Sequence, residues 1–226
     1  SFSYPSSRVA AIKEVTLEIK KGEYVTIIGG SGSGKTTLTD LVLGLIRPTS
    51  GRILVDDQHI DEFGVDLWRN QIGLVEQRVA MLNDSINNNI LFGRTGFSSE
   101  QISRAIERAA ATRLIRSLER GVHTLVGQNG IQLSGGEVQR IGIARAIVHE
   151  PDVLILDEAS SALDRETMLE IDHSLRQVDY DLTIVKISHD RSSIRPTDRV
   201  LELRDGKILA DTQFDALTET GRDQGL

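Results

Sequence analysis

The stretch that decides the fold of this chain is Gly29-Gly30-Ser31-Gly32-Ser33-Gly34-Lys35-Thr36-Thr37. The five residues before it, Tyr24–Ile28, are mostly apolar and β-branched, which predicts a short buried strand. After it, apolar residues recur at helical spacing from Leu38 to Leu45, which predicts a helix that starts within the stretch. A strand, a glycine loop and a helix that opens with a Lys-Thr pair form the pattern of a phosphate-binding loop.

The residue types in this loop suit the binding of a nucleoside triphosphate. Glycines allow backbone N–H groups to approach phosphate oxygens without obstruction by a Cβ atom. The helix N-terminus adds unpaired donors and partial positive charge. Lys35 is expected to reach the β- and γ-phosphates, and the Thr36 hydroxyl is expected to hold Mg²⁺. The alternative is a glycine loop without a ligand, but the flanking strand and helix argue against it.

Composition limits the class of protein. At 226 residues the chain is long enough for one large core, or one core with a small subdomain. Its formal net charge of −7 argues against a nucleic-acid-binding surface. Cysteine is absent, so disulfides are excluded, and no apolar stretch approaches the ~18 residues of a membrane span. We expect a soluble domain, and the start at Ser1 without methionine suggests that it was cut from a longer polypeptide.

Four predicted strands run directly into polar residues at their carboxyl ends. Tyr24–Ile28 is followed by the glycine loop, and Ile72–Val75 is followed closely by Gln77. Val153–Leu156 is followed by Asp157-Glu158, and Thr183–Ile187 by Ser188-His189. Ligands bind at the carboxyl edge of the strands in open α/β sheets. We therefore expect these four endings to face one bound nucleotide.

The rest of the chain alternates between short strands and one helical region. Further strands are predicted at Phe2–Tyr4, Ala11–Ile19 and Arg52–Asp56, and a hairpin at Arg199–Leu203 and Lys207–Ala210. Helical periodicity dominates from Arg78 to about Ile147, and another helix is predicted near Glu166–Arg176.

The acidic pair and the histidine are candidates for the chemistry. Asp157 would bind Mg²⁺, through water, and Glu158 could polarise the attacking water as a general base. The alternative is an acidic turn that caps the next helix. His189 is a candidate contact for the γ-phosphate, whereas a lone histidine at a strand end is more often structural.

Residues Ser134, Gly135 and Gly136 form a second glycine loop at a helix start and again make an anion cradle. One triphosphate does not need two separate loops. The simplest interpretation is that the second loop serves a nucleotide held by another copy, in a symmetric head-to-tail dimer. Tyr4 is either an aromatic of an edge strand or a platform on which the adenine ring stacks.

These motifs together resemble the nucleotide-binding domain of ATP-binding cassette (ABC) transporters over nearly all 226 residues. The motifs that carry the resemblance are the aromatic loop Phe2–Tyr4, the loop Gly29–Thr37, Gln77, the signature Leu133–Glu137, Leu156–Glu158, the D-loop Ser161–Asp164 and His189. The aromatic loop, with Thr124–Gly130 before the signature, is similar to the exporter branch, in which such a domain follows a membrane domain in one polypeptide.

The resemblance implies a fold and a mechanism. The fold would be α/β, a P-loop NTPase (RecA-like) core with a mixed sheet (residues 1–77 and 141–226), an antiparallel β subdomain and a helical subdomain (residues 78–140). Two domains would sandwich two ATP, with Lys35 and Thr36 of one facing Ser134, Gly135 and Gly136 of the other. Gln77 would touch Mg²⁺, and the helical subdomain would receive a transmembrane domain, fused or associated, at the cytoplasmic face of a membrane.

Two residues depart from the pattern of the family, and several alternatives stay open. Gln128 stands where a glutamate is common, and Glu137 stands where exporters usually have glutamine, although importers also show glutamate. Neither change alters the phosphate chemistry, and because Glu158 and His189 are both present we expect a site that hydrolyses ATP. The alternatives are a soluble cassette ATPase acting on nucleic acid or the ribosome, a cassette that only senses ATP, and an importer subunit. The transported substrate would be chosen outside this chain.

Overall fold

A computed structural model describes residues 1–127, 130–159, 163–189, 194–195 and 197–213. The chain forms two compact units. Unit 1 comprises the described residues of Ser1–Ile72 and Thr183–Leu226, and unit 2 comprises those of Gly73–Leu182. The glycine loop belongs to unit 1, whereas the acidic pair and the signature belong to unit 2.

Unit 1 is built on strands that surround the glycine loop. Its elements are β1 (Tyr24–Ile28), α1 (Lys35–Val42), β2 (Leu54–Val55), β3 (Gln58–His59), α2 (Ile60–Phe63), α3 (Val65–Asn70), β6 (Thr183–Ser188), β7 (Arg199–Arg204) and β8 (Lys207–Gln213). The strand order in this unit is β6-β1-β7-β8, and β1 is parallel to both neighbours while β7 and β8 are antiparallel. A separate antiparallel pair is formed by β2 and β3.

The buried strand β1 explains the position of the loop that follows it. Val25, Ile27 and Ile28 are buried, as expected for a central strand covered on both faces. Ile28 packs in a cluster with Ile194 and Val200. The loop therefore leaves the sheet from a buried strand.

Unit 2 is mainly helical. Its elements are β4 (Ile72–Val75, entering at the boundary), α4 (Ile86–Leu91), α5 (Ser99–Arg108), α6 (Thr112–Ser117), a 3₁₀ turn (Gly121–His123), α7 (Gly135–Ile147), β5 (Val153–Asp157) and α8 (Arg165–Arg176). Strands β4 and β5 are neighbours. The apolar faces of α4 and α7 are buried, including Ile86, Ile90, Ile141 and Ile143.

Three predicted elements differ from the structure, and the first is Phe2–Tyr4, which is not a strand because only Phe2 forms a bridge there. Ala11–Ile19 is not a strand: Ile12 forms one isolated bridge with Phe2, and Glu14 then adopts a left-handed φ of 51°, which interrupts the extended chain. The first helix ends at Val42, before Leu45, because Gly44 turns the chain with a φ of 64°. Leu45 is consequently exposed.

The α/β class, with parallel strands in a mixed sheet and a separate antiparallel pair, is confirmed. The predicted helical subdomain, residues 78–140, lies within unit 2, and its boundaries stay a prediction. None of the helices that the structure describes has the length and apolarity needed to span a bilayer.

Candidate functional site

The glycine loop wraps the start of α1 in unit 1. Gly32 and Gly34 have φ angles of 76° and 107°, which L-residues with a Cβ rarely adopt. A Cβ on Gly34 would lie 2.7 Å from the carbonyl oxygen of Ala11, while one on Gly30 or Gly32 would enter open space. Gly34, at the N-cap, has no side chain that could cap the helix. The first-turn N–H groups of α1, which have no intrahelical partner, therefore lie beside an open glycine loop.

Lys35 folds back over this loop. Its Nζ donates to the carbonyl oxygens of Gly29 at 2.7 Å and Gly30 at 2.9 Å. An ammonium group has three donors, so these bonds fix its position above the loop and leave one donor for an anion. The neighbouring Thr36 is exposed, as a hydroxyl that binds a cation would need to be.

Tyr4 lies against the same helix. Its hydroxyl is 3.1 Å from Thr37 Oγ1, and its ring meets that of Phe2 edge-to-face at a centroid distance of 4.9 Å. The side chain is 40% exposed. An aromatic face is thus available to solvent next to the first turn of α1.

The register of β6 places His189 beside the loop. Ile28 pairs with Ser188 in the parallel ladder between β1 and β6. Gly29 and His189 are the next residues of the two strands, so they leave the sheet at the same edge. Unit 1 therefore brings together Tyr4, the glycine loop and His189.

Unit 2 brings together the polar residues that follow β4 and β5. Gln77 Nε2 donates a hydrogen bond of 2.9 Å to Glu158 Oε2. Glu158 has a φ of 48°, a left-handed conformation, and follows Asp157 at the end of β5. Within unit 2, the carboxylate of Asp157 and the amide oxygen of Gln77 are hard oxygen groups of the kind that suit Mg²⁺.

The signature loop begins helix α7. Ser134 is the N-cap, and its Oγ accepts from the Glu137 backbone N–H at 3.4 Å. Glu137 Oε2 in turn accepts from the Ser134 backbone N–H at 2.7 Å and from its hydroxyl at 2.8 Å. These bonds form a capping box, and Ser134 and Gly135 are exposed at the helix N-terminus.

A buried polar cluster that the sequence analysis did not identify anchors the segment after Gln77. Arg145 donates to the carbonyl oxygens of Asn89 at 2.8 Å and Ala80 at 2.9 Å, and its guanidinium lies 4.2 Å from the Phe92 ring centroid. The fully buried Asn89 bonds Leu82 through both amide atoms. Burial lowers the pKa of Arg145. No sequence spacing signals this cluster, whereas Ser134 and Glu137 do match the capping-box pattern.

The next helix also begins with a side-chain cap. Asp164 accepts from the Thr167 backbone N–H at 2.9 Å and from its hydroxyl at 2.7 Å, and these bonds lower the pKa of Asp164. Of the predicted D-loop, Ser161 and Ala162 lie outside the described residues. Gln128, in the loop before the signature, also lies outside them.

Residues 12–161 match the family model of the ABC transporter. The chain belongs to the ABC transporter family. The glycine loop, Gln77, the signature and the acidic pair all lie inside the matched region of this ABC domain. Tyr4 and His189 lie outside it.

Curated relatives extend the similarity to nearly the whole ABC domain. The ATP-dependent lipid A-core flippase of Pectobacterium atrosepticum is 40% identical over 221 residues, which cover 97% of this chain and 38% of the flippase. The flippase of the same name from Escherichia coli is 39% identical over 210 residues, covering 92% of this chain and 36% of the flippase. The chain thus spans less than two fifths of the length of these relatives.

A solved structure supports the ABC fold in three dimensions. A bacterial Atm1-family ABC exporter with ATP bound superposes with a TM-score of 0.89 and 34% sequence identity. The match covers 100% of this chain and 41% of that exporter chain.

Proposed function

We propose that this chain binds ATP with Mg²⁺ at the Gly29–Thr37 loop and hydrolyses it, as the nucleotide-binding domain of an exporter. The observation that carries the proposal is the position of the Lys35 ammonium, held by the Gly29 and Gly30 carbonyls at a helix start without a side-chain cap. A triphosphate there would meet one fixed positive charge and several unpaired N–H donors. The superposition on an exporter with ATP bound supports the same ligand.

Three groups would hold the rest of the nucleotide and its cation. The exposed Tyr4 ring would stack on the adenine base. Thr36, Gln77 and Asp157 would hold Mg²⁺, directly or through water. When bound, Mg²⁺ neutralises charge that develops on the phosphate oxygens.

Glu158 is the proposed general base. Its carboxylate would accept a proton from the water that attacks the γ-phosphate. Gln77 donates to Glu158 Oε2 through Nε2, so its Oε1 remains for the cation. One amide would therefore orient the base and hold the metal. His189, at the edge where the loop leaves the sheet, would contact the γ-phosphate.

A second nucleotide-binding domain, identical in a homodimer, would complete each site. Ser134, Gly135 and Gly136 offer exposed or half-exposed backbone and hydroxyl donors at the start of α7, a 13-residue helix. A head-to-tail pair would bring these donors to the phosphates bound by the other copy. ATP binding would close the pair, and hydrolysis would open it.

Exposed apolar residues, most of them on linked segments of unit 2, support a membrane partner. Leu82, Phe92, Leu125 and Ile131 are all exposed. Backbone contacts link three of their segments, since Ser85 bridges Leu125 and the Ile131 N–H donates to the Leu125 carbonyl. Exposed apolar surface of this kind often marks interaction sites. We propose that a transmembrane domain, fused or associated, docks here at the cytoplasmic face of a membrane.

Substitution of the proposed base tests this function. In the full-length protein that contains this chain, Glu158→Gln should retain ATP binding and lower phosphate release by about 10²- to 10⁴-fold. Glu166→Gln, which removes an equal charge from the exposed first turn of α8, should keep the parental rate. Hydrolysis by Glu158→Gln at the parental rate would refute the assignment of the base. Stimulation of hydrolysis by DNA or RNA would instead favour a nucleic-acid-associated ATPase.

A further inference from the structure

The backbone N–H and the hydroxyl of Ser134, the signature serine, already donate hydrogen bonds within their own chain. Glu137 Oε2 accepts both the backbone N–H of Ser134, at 2.7 Å, and the Ser134 hydroxyl, at 2.8 Å. A serine hydroxyl carries a single proton, so it can donate to this carboxylate or to a phosphate, but not to both in full strength. The carboxylate therefore uses the donors that a bound anion would use.

Helix α5 shows that capping itself does not require a carboxylate. It begins with the same box, in which Gln101 Oε1 accepts from the Ser98 backbone N–H at 2.9 Å and the Gln101 N–H donates to Ser98 Oγ at 3.2 Å. A neutral glutamine thus supplies the cap at this position of a helix. In α7 the residue at this position is Glu137, which forms the same cap but also adds a negative charge beside the first turn of the helix.

We infer that Glu137 sets the ATP concentration at which two copies close. Its carboxylate competes with the nucleotide's phosphates for the Ser134 hydroxyl and repels them at short range. This inference rests on the proposed function, because it needs ATP held by one copy and Ser134 presented by the other. ATP then has to displace the carboxylate from Ser134 before the donors of α7 engage the phosphates.

The test measures closure and not turnover. The full-length protein would carry Glu158→Gln to block hydrolysis and a spin label on a cysteine that replaces the exposed Glu119. Residues 1–226 contain no other cysteine, so each copy has one label in this chain. The distance between the labels of two copies is then followed against ATP concentration. Glu137→Gln should lower the half-maximal ATP concentration about three- to tenfold.

A charge-matched control and a second variant make the result specific. Glu100→Gln removes the same charge from the first turn of α5 and should leave the half-maximal concentration unchanged. Glu137→Ala removes the charge together with the cap, and should also close at lower ATP.

The outcomes distinguish failure of this inference from failure of the proposed function. Closure that depends on ATP but is unaffected by Glu137→Gln, or that then needs more ATP, overturns the inference and leaves the proposed function standing. Failure of the parent to bind ATP overturns the proposed function, and the inference with it.

Discussion

Glu158 adopts a backbone conformation that residues with a Cβ disfavour, with φ at 48°. A left-handed conformation costs a non-glycine residue roughly 1–2 kcal/mol. The residue gains in return the hydrogen bond from Gln77 that fixes its carboxylate. Strain at a residue that the chemistry requires is consistent with its proposed role as the base.

Tyr4 provides a prediction at the same scale. Tyr4→Leu removes the aromatic face and should weaken ATP binding by about 1–3 kcal/mol, whereas Tyr4→Phe keeps the face and should retain most of the affinity. Titration calorimetry with ATP measures both variants. An equal loss in Tyr4→Phe would mean that the bond between the Tyr4 hydroxyl and Thr37 matters, and not stacking.

At the scale of elements, α7 is joined to the segment after Gln77 by Arg145. Arg145→Ala removes its bonds to the carbonyls of Ala80 and Asn89 and its contact with Phe92. We expect a loss of about 2–3 kcal/mol in the free energy of unfolding, because partly buried carbonyls lose their donors. Urea denaturation measures the loss. Arg113→Ala, at an exposed site on α6, should change stability by less than about 0.5 kcal/mol.

The β7–β8 hairpin contains a pair that should respond to acid. Asp211 accepts from Arg199 Nε at 2.6 Å and from its Nη2 at 2.7 Å. The bonds from Arg199 lower the pKa of Asp211 below its usual 3.8. A carboxyl whose folded pKa is lowered stabilises the fold above its unfolded pKa, and this contribution disappears as the pH falls through the folded pKa.

Asp211→Asn should therefore lower the melting temperature near neutral pH and have little effect at about pH 2. The half-exposed pair limits the loss near neutral pH to about 1 kcal/mol. Thermal denaturation between these pH values measures the difference. Asp205→Asn, which removes an equal charge from the exposed tip of the hairpin, is the control for the loss of charge. A constant difference down to pH 2 would contradict the assigned role of the ion pair.

At the scale of the whole molecule, the sequence correctly predicted strands that are marked by a short run of apolar residues. Tyr24–Ile28 and Ile72–Val75 were predicted with the bounds found, since each is a short apolar run between turn residues. The alternation of apolar and polar residues in Ala11–Ile19 reflected the burial of side chains on one side of the segment. A strand also needs hydrogen-bonding partners, which this alternation does not reveal. The sequence motifs likewise identified Lys35 and Glu158 as candidates.

The sequence predicted that the strand endings at Gln77 and Glu158 would meet, but not which atoms of residues distant in sequence bond each other. Asn89 and Arg145 are 56 positions apart, and neither belongs to a recognisable motif. The bond from Gln77 to Glu158 spans 81 positions and follows from the adjacency of β4 and β5, which no local pattern specifies. Sequence spacing thus identified site residues but not the cluster that supports them.

The most direct test of the central claim is an experimental structure of the full-length Glu158→Gln protein with ATP and Mg²⁺. We predict that Lys35 Nζ and the backbone N–H groups of Gly30–Thr36 contact the β- and γ-phosphates, and that Ser134, Gly135 and Gly136 of a second copy contact the same γ-phosphate. A nucleotide bound away from Lys35, or a closed pair whose signature loops do not reach the phosphates, would contradict the account.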